Sequence, residues 1–132
     1  MINNVENITV DCLLDKVASK LPMGFRFVTM TCVDCGEHFD ILYHFDKNYE
    51  LSNFRLSLKK GEPLPSISGL IFAALVVENE IQDLFGIKVN GLVLDYEGRF
   101  LLTETAPERP LCRVPGVSMV EAGKPAEAAE VK

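Results

Sequence analysis

Apolar side chains recur along this chain with two spacings, which predict where its helices and strands lie. After Thr9, which we interpret as an N-cap, they fall three or four residues apart, as on one face of a helix, at Val10, Leu13, Leu14, Val17 and Leu21. Pro22 and Gly24 end this first predicted helix, because proline and glycine both interrupt helical structure.

Three segments with the two-residue alternation of β-strands follow, at residues 25–35, 38–46 and 51–58. Aromatic and β-branched side chains are frequent in the first two, as is typical of strands. Short turns separate the segments, so we expect an antiparallel meander. One face of the second strand is strongly apolar and needs a cover, since it carries Phe39, Ile41, Tyr43 and Phe45.

An apolar run predicts a second helix over Pro65–Ile87, with Ser66 as its N-cap, and this helix supplies the cover. The run passes into three carboxylates, Glu78, Glu80 and Asp83. Acids near a helix C-terminus oppose its dipole by roughly 0.3–1 kcal/mol each when exposed. We therefore expect a partner, or a later segment of this chain, to bind these anions; a solvated last turn is the alternative.

The sequence thus predicts an α+β fold, in which an antiparallel meander sheet packs against two helices. Residues 88–102 are mixed in character and predict short strands or ordered loop. We expect one domain over residues 1–114. Residues 115–132 are rich in proline, glycine, alanine and glutamate, and they predict a disordered, flexible C-terminal tail.

Composition narrows the classes of partner. The net charge is −6, which argues against nucleic-acid binding through a basic surface and against adhesion to anionic lipid. The N-terminus has no basic and apolar segments typical of a signal peptide, and no apolar run approaches the roughly 20 residues that span a bilayer. We therefore expect no direct membrane insertion.

No motif in the chain predicts catalysis. Glu78 and Glu80 are two residues apart on a helix and point about 200° apart, so they cannot act together on one bond. His38 and His44 share a strand face about 20 Å apart, and we expect both to be solvated surface histidines. We predict no catalytic residue, no bound cofactor and no metal ligand.

The four cysteines, at positions 12, 32, 35 and 112, leave one alternative open. Cys32 and Cys35 form a single CxxC, whereas a structural zinc site needs four ligands. We interpret the cysteines as incidental thiols. The alternative is a free-standing module in which Cys32 and Cys35 hold a metal or exchange electrons, with Cys12 or Cys112 as a further ligand.

The segment VENEIQDLFGIKVNG, at residues 77–91, resembles the signature of the 30-kDa subunit family of respiratory complex I. That family includes the corresponding small subunit of energy-converting, membrane-bound [NiFe] hydrogenases. PSISGLIFAA resembles the segment that precedes the signature helix, and two later segments, at residues 99–102 and 110–113, resemble its Arg-Leu-Leu and Pro-Leu-Arg elements. The resemblance covers roughly residues 8–114.

Three departures from the family pattern favour its hydrogenase branch, which includes the D subunit of Ech-type hydrogenase. Asn79 stands where the family usually has arginine, Val77 where an aromatic residue is frequent, and Leu92 where histidine is frequent. The chain is also short for a complex I subunit.

The resemblance implies a non-catalytic, cofactor-free hydrophilic subunit, held peripherally at the cytoplasmic face of the cell membrane by its partners. The implied partners are a hydrogenase-like large subunit, a small iron–sulfur subunit and a ferredoxin-like subunit, which carry the [NiFe] centre and iron–sulfur clusters. The implied activity of the complex is ferredoxin-linked hydrogen evolution coupled to ion translocation. The alternative is a 30-kDa-type subunit of a complex I that oxidises NADH or ferredoxin and reduces quinone.

We expect the motif residues to lie at the partner interface. The three carboxylates would accept hydrogen bonds from a partner's arginine, lysine or backbone amides, with two apolar side chains packed beneath them. The residues that we predict at this interface are Glu78, Glu80, Asp83, Phe85, Ile87, Arg99 and Arg113.

Overall fold

The computed structural model describes residues 4–112, and the predicted tail at 115–132 lies outside them. These residues form an α+β fold with a four-stranded sheet and two helices, which confirms the predicted class. The elements are β1 (Val5–Ile8), a 3₁₀ turn (Val10–Cys12), α1 (Leu13–Lys20), β2 (Arg26–Asp34), β3 (His38–Lys47), β4 (Glu50–Lys59), β5 (Leu64–Pro65), α2 (Ala74–Phe85) and β6 (Val89–Asn90).

The sheet contains the predicted antiparallel meander and one further strand. β2, β3 and β4 pair in sequence order, with Tyr43 of β3 opposite Met30 and Phe54. β1 pairs with the outer edge of β4 in the parallel direction, so the sheet is mixed and has the order β1-β4-β3-β2. The sequence pattern missed β1 because only Ile8 of its four residues is buried, which leaves no alternation to detect.

The hydrophobic core lies between one face of this sheet and the two helices. Leu13 and Val17 of α1 are fully buried there, together with the apolar side chains of β3. Phe45 is the centre of an aromatic group, because its ring meets Phe27 edge-on at 5.8 Å and Phe54 at 5.7 Å. Both helices therefore cover the apolar face, as the alternation of β3 required.

The opposite face of the sheet contradicts one expectation, since His44 is buried rather than solvated. Its Nδ1 lies 2.7 Å from Asn53 Oδ1, and its Nε2 lies 2.8 Å from the hydroxyl of Thr31. The amide oxygen of Asn53 accepts from Nδ1, and Nε2 shares a hydrogen bond with the hydroxyl of Thr31. Polar neighbours on both adjacent strands bury this histidine. His38, at the end of the strand, is partly exposed.

The predicted start of the second helix is also wrong. Residues Leu64–Pro65 instead form β5, which pairs with β6, and the amide of Ser66 donates to Asn90 O at 2.8 Å. Single turns occupy the next residues, and regular α-helix begins at Ala74. Serine hydroxyls and a glycine favour such turns, because they offer the backbone alternatives to helical hydrogen bonds.

The helix ends at Phe85 because Gly86 adopts the left-handed conformation, with φ of 70°. Its amide donates to Gln82 O at 3.0 Å and closes the last turn. A residue with a Cβ atom would be strained at this angle. The glycine of the DLFGI motif is therefore required for the backbone to adopt this conformation. No helix within residues 4–112 has the length and apolar character needed to cross a bilayer.

Candidate functional site

The polar side chains of α2 point toward the irregular segments of the chain and bind their backbone. We call Glu78, Asn79, Gln82 and Asp83 the polar clamp of α2. Three of the four are buried, although each carries a charge or an amide. A buried polar group is costly unless it is hydrogen-bonded, so the partners of these side chains explain why they are tolerated there.

Glu78 is fully buried and is bound by the segment that precedes the helix. Its Oε1 accepts from the amide of Ile67 at 2.7 Å, and its Oε2 accepts from the hydroxyl of Ser66 at 2.6 Å. The network extends further, because the Ser66 and Ser68 hydroxyls are 2.6 Å apart and the amide of Val93 donates to Ser68 at 3.0 Å. Burial raises the pKa of Glu78 above its usual 4.5, and the two donors partly offset this rise.

Asn79 binds a later loop to the same helix. Its amide nitrogen donates to Leu75 O at 2.8 Å and to Leu94 O at 2.9 Å, and its oxygen accepts from the amide of Tyr96 at 3.0 Å. The residue thus satisfies three backbone groups in a fully buried position. The sequence pattern marked Asn79 only as a departure from a family. The signal that could have predicted its structural role is an amide side chain among the buried positions of the helix.

Gln82 and Asp83 bind the segments after the helix. Gln82 accepts from the amide of Val89 at 3.0 Å, while Asp83 Oδ2 accepts from the amides of Leu101 and, at 3.1 Å, Leu102. Asp83 Oδ1 is buried and has no hydrogen-bond partner among the described residues. Asp83 borders an open cleft of about 250 Å³, which Arg99 also lines. This oxygen is therefore a buried acceptor without a donor among the described residues.

The chain itself binds two of the three predicted anions. A later segment binds Asp83, as one of the expectations from the sequence had it. An earlier segment binds Glu78, which the sequence pattern did not predict. Glu80 differs, because it is partly exposed and makes no hydrogen bond or ion pair within residues 4–112. Of the three carboxylates, Glu80 is thus the one available to a partner as a whole side chain.

The other predicted interface residues are divided between core and surface. Phe85 meets Phe39 edge-on at 6.1 Å, and Ile87 is buried in the core. Arg99 is exposed and pairs with Glu104 at 3.3 Å, beside the cleft at Asp83. Arg113 lies outside the described residues. Contacts within one chain do not test these seven interface assignments, which stay predictions.

A second surface feature escaped the sequence analysis. Several large apolar side chains beside the N-terminal end of α2 are exposed, and the exposed fraction of Phe72 is 67%. Ser68 and Asn79 hold the 93–96 loop against this end of the helix, so the loop adds to the same surface. We call this the α2 apolar surface, formed by Leu70, Phe72, Val76, Val93 and Leu94. Several large apolar side chains exposed on neighbouring segments are typical of an interaction site.

The two cysteines of the CxxC occupy different environments. Cys32 lies opposite Ile41 and packs against the core, and burial raises the pKa of its thiol to about 12. Cys35 is exposed at the turn between β2 and β3. A thiol that stays protonated to such high pH is a poor nucleophile and a poor metal ligand. This geometry disfavours a redox or metal pair made of Cys32 and Cys35.

Comparison with known proteins gives three similarities. Residues 5–114 match the family described as respiratory-chain NADH dehydrogenase, 30 Kd subunit. The chain is 38% identical over 74 residues to the C subunit of the NADH-quinone oxidoreductase of Jannaschia sp. (strain CCS1), a match that covers 50% of this chain and 36% of that protein. The chain therefore spans only about a third of the length of that relative.

The third similarity is one of fold. A chain in the structure of the membrane-bound sulfane sulfur reductase, an archaeal respiratory membrane complex, superposes with a TM-score of 0.63. The match covers 84% of this chain and 71% of that chain, at 16% identity. At this identity the likeness concerns the fold alone.

Proposed function

The chain belongs to the family of the 30-kDa subunit of the respiratory-chain NADH dehydrogenase, and from this premise we propose that it is a scaffolding subunit of a membrane-bound, energy-converting [NiFe] hydrogenase. In this role it binds no cofactor and carries no catalytic residue. It packs against the hydrogenase-like large subunit at the cytoplasmic face, where the small iron–sulfur and ferredoxin-like subunits complete the electron path from ferredoxin to the [NiFe] centre. Hydrogen evolution by the complex is coupled to ion translocation.

The observation that carries this proposal is the α2 apolar surface beside the polar clamp. Burying an apolar side chain such as Phe72 gains about 1.5–3 kcal/mol, so a surface with several exposed apolar groups favours a bound partner. The clamp fixes the 93–96 loop beside the helix, so the surface exists before the partner arrives. Preorganisation of this kind lowers the cost of binding.

Charges near this surface suggest the chemistry of the partner. Glu80 is partly exposed on the helix, and Asp83 lines a cleft that Arg99 also lines. A partner with arginine or lysine at Glu80 and Asp83 would form charge-assisted hydrogen bonds. This arrangement supports the predicted role of these three residues at the interface, around an apolar centre.

A second candidate function is a 30-kDa-type subunit of a complex I. The relative that is 38% identical over 74 residues is named as part of an NADH-quinone oxidoreductase, which favours this candidate. The residues Asn79, Val77 and Leu92, which depart from the family pattern, favour the hydrogenase branch. Both candidates use the same packing surface, and they differ in the electron donor and acceptor of the whole complex.

Purification of the assembled complex tests the proposal. We expect a tagged chain, recovered from membranes extracted with a mild detergent, to bring with it a hydrogenase-like large subunit and iron–sulfur proteins. The recovered material should evolve hydrogen from reduced ferredoxin and should not oxidise NADH. Material from cells with an untagged chain is the control for nonspecific recovery.

Other activities in the same preparation decide between the candidates. NADH oxidation with quinone reduction would contradict the hydrogenase and support the complex I assignment. Reduction of sulfane sulfur without hydrogen evolution would contradict both activities while leaving the scaffolding role in place. Recovery of the chain alone, with no other subunit, would contradict the scaffolding role itself.

A further inference from the structure

A cysteine, a histidine and an aspartate converge at the turn between β2 and β3, on a part of the molecule that the proposed function does not use. The Sγ of Cys35, a ring nitrogen of His38 and a carboxylate oxygen of Asp40 all lie within 4.8 Å of one another. From this geometry we propose that the hairpin binds a divalent cation of the zinc class through these three residues. The proposal is independent of the partner assignment.

The hairpin places the three side chains on one side for simple backbone reasons. His38 and Asp40 are two residues apart on β3, so they share the face opposite the core residue Phe39. The amide of Cys35 donates to His38 O at 2.9 Å, which brings the cysteine beside the histidine at the start of the strand. Gly36, with φ of 96°, allows the tight turn between them.

The separation of the ligand atoms suits a small cation. His38 Nε2 lies 3.3 Å from Asp40 Oδ1. Zinc bonds to nitrogen and oxygen are about 2.0–2.2 Å long, so two such ligands in a tetrahedral site are about 3.3–3.5 Å apart. These two atoms are therefore already spaced as zinc ligands, and Cys35 is exposed enough to rotate its thiol toward them.

The second oxygen of Asp40 is held by an arginine. Arg55 Nε donates to Asp40 Oδ2 at 3.0 Å, so this pair orients the carboxylate and leaves Oδ1 toward His38. The charge of Arg55 opposes a cation, but its side chain is half exposed and solvent screens it. The Cys35 thiolate and the Asp40 carboxylate together balance the two positive charges of the metal.

Three protein ligands leave one position of a tetrahedral site for water. A thiolate and an imidazole favour zinc over magnesium or calcium, which prefer oxygen ligands. Cys32 is not part of the set, because it packs against the core on the other side of the strand.

Cobalt substitution tests the site on the full purified chain. After reduction and chelator treatment, Co²⁺ should bind one equivalent with thiolate-to-cobalt charge-transfer absorption, and Zn²⁺ should displace it. We expect Cys35→Ser to abolish that absorption and His38→Gln to weaken binding at least about tenfold, since even outer-shell changes cost 10–100-fold. Zinc should also protect Cys35 from alkylation.

Two other cysteine variants provide the matched controls. Cys12→Ser removes a thiol at the 3₁₀ turn and should leave cobalt binding unchanged. Cys32→Ser should leave the absorption in place. The proposal is overturned if no charge-transfer band appears, if Cys35→Ser or His38→Gln binds cobalt like the native chain, or if Cys32→Ser abolishes the band as a CxxC chelate would require.

Discussion

Replacing Glu78 with alanine is expected to lower the free energy of unfolding of the isolated chain by about 1–3 kcal/mol through the donors that lose their acceptor. The substitution leaves the buried amide of Ile67 without its acceptor and breaks the chain of hydroxyls that begins at Ser66. It also leaves a cavity in a fully buried position. Urea unfolding followed by circular dichroism measures the effect. If the Glu78→Ala variant does not fold at all, this is the same loss of stability in its largest form.

Glu80→Ala is the matched control, because it removes the same type of side chain two residues along the same helix. Glu80 is partly exposed and has no partner within residues 4–112, so we expect a change of about 0.5 kcal/mol or less. In the assembled complex, Glu80→Ala should weaken the association with the partner subunit, because it removes a predicted contact. Equal losses of stability for the two isolated variants would contradict the role assigned to Glu78.

The pH dependence of stability is a second readout of the same carboxylate. The folded-state pKa of Glu78 is raised above 4.5 by burial, so the folded chain holds this proton to higher pH than the unfolded chain. Its contribution to stability is full below about 4.5 and falls as pH rises through the folded-state pKa. Glu78→Gln cannot titrate and should lack this decline. Parallel pH profiles for the native chain and Glu78→Gln would contradict burial of the carboxylate.

Replacing Phe72 with glutamate is expected to weaken binding of the large subunit at least about tenfold, as loss of a central aromatic contact costs about 2 kcal/mol or more. Phe72 is 67% exposed in the isolated chain, so the variant should fold normally. In the complex, the new carboxylate would be placed in an apolar interface without a partner. The amount of large subunit recovered with the tagged variant, at increasing salt, measures the loss.

Tyr49→Glu supplies the corresponding control at another exposed aromatic residue. Tyr49 lies in the turn between β3 and β4 and is fully exposed, away from α2. We expect this variant to recover the large subunit like the native chain. Equal recovery with Phe72→Glu, or an equal loss with Tyr49→Glu, would contradict the assignment of the α2 apolar surface as the docking site.

Much of the fold could be predicted because its main elements have strong periodicity. The alternation of apolar and polar side chains in β3 and the helical spacing in α1 both arise from one apolar face that packs in the core, so the pattern indicates the packing directly. β1 has one buried residue in four and depends on pairing with β4, a distant segment. Helix α2 begins later than predicted because single turns occupy the residues before Ala74, and Ser66 and Ile67 there donate to the carboxylate of Glu78, a contact that no local pattern reveals.

The candidate site was predicted in part. The three carboxylates could be identified from the sequence because they follow the apolar run of the second helix. A carboxylate that is buried at such a position needs hydrogen-bond donors. Which donors they find depends on the loops at 66–68 and 93–102, whose paths are set by tertiary contacts rather than by propensity. The structural role of Asn79 was not predicted for the same reason, since its three backbone partners come from both the helix and the later loop.

Photo-crosslinking at position 72 tests the central claim, that the α2 apolar surface is covered by a neighbouring subunit. A benzophenone amino acid placed there in the intact complex should yield, on irradiation, an adduct with the hydrogenase-like large subunit that mass spectrometry can identify. The same group at position 49 should yield no such adduct. If the complex contains the chain, but position 49 forms the adduct with the large subunit and position 72 does not, the claim that this subunit covers the α2 apolar surface is contradicted.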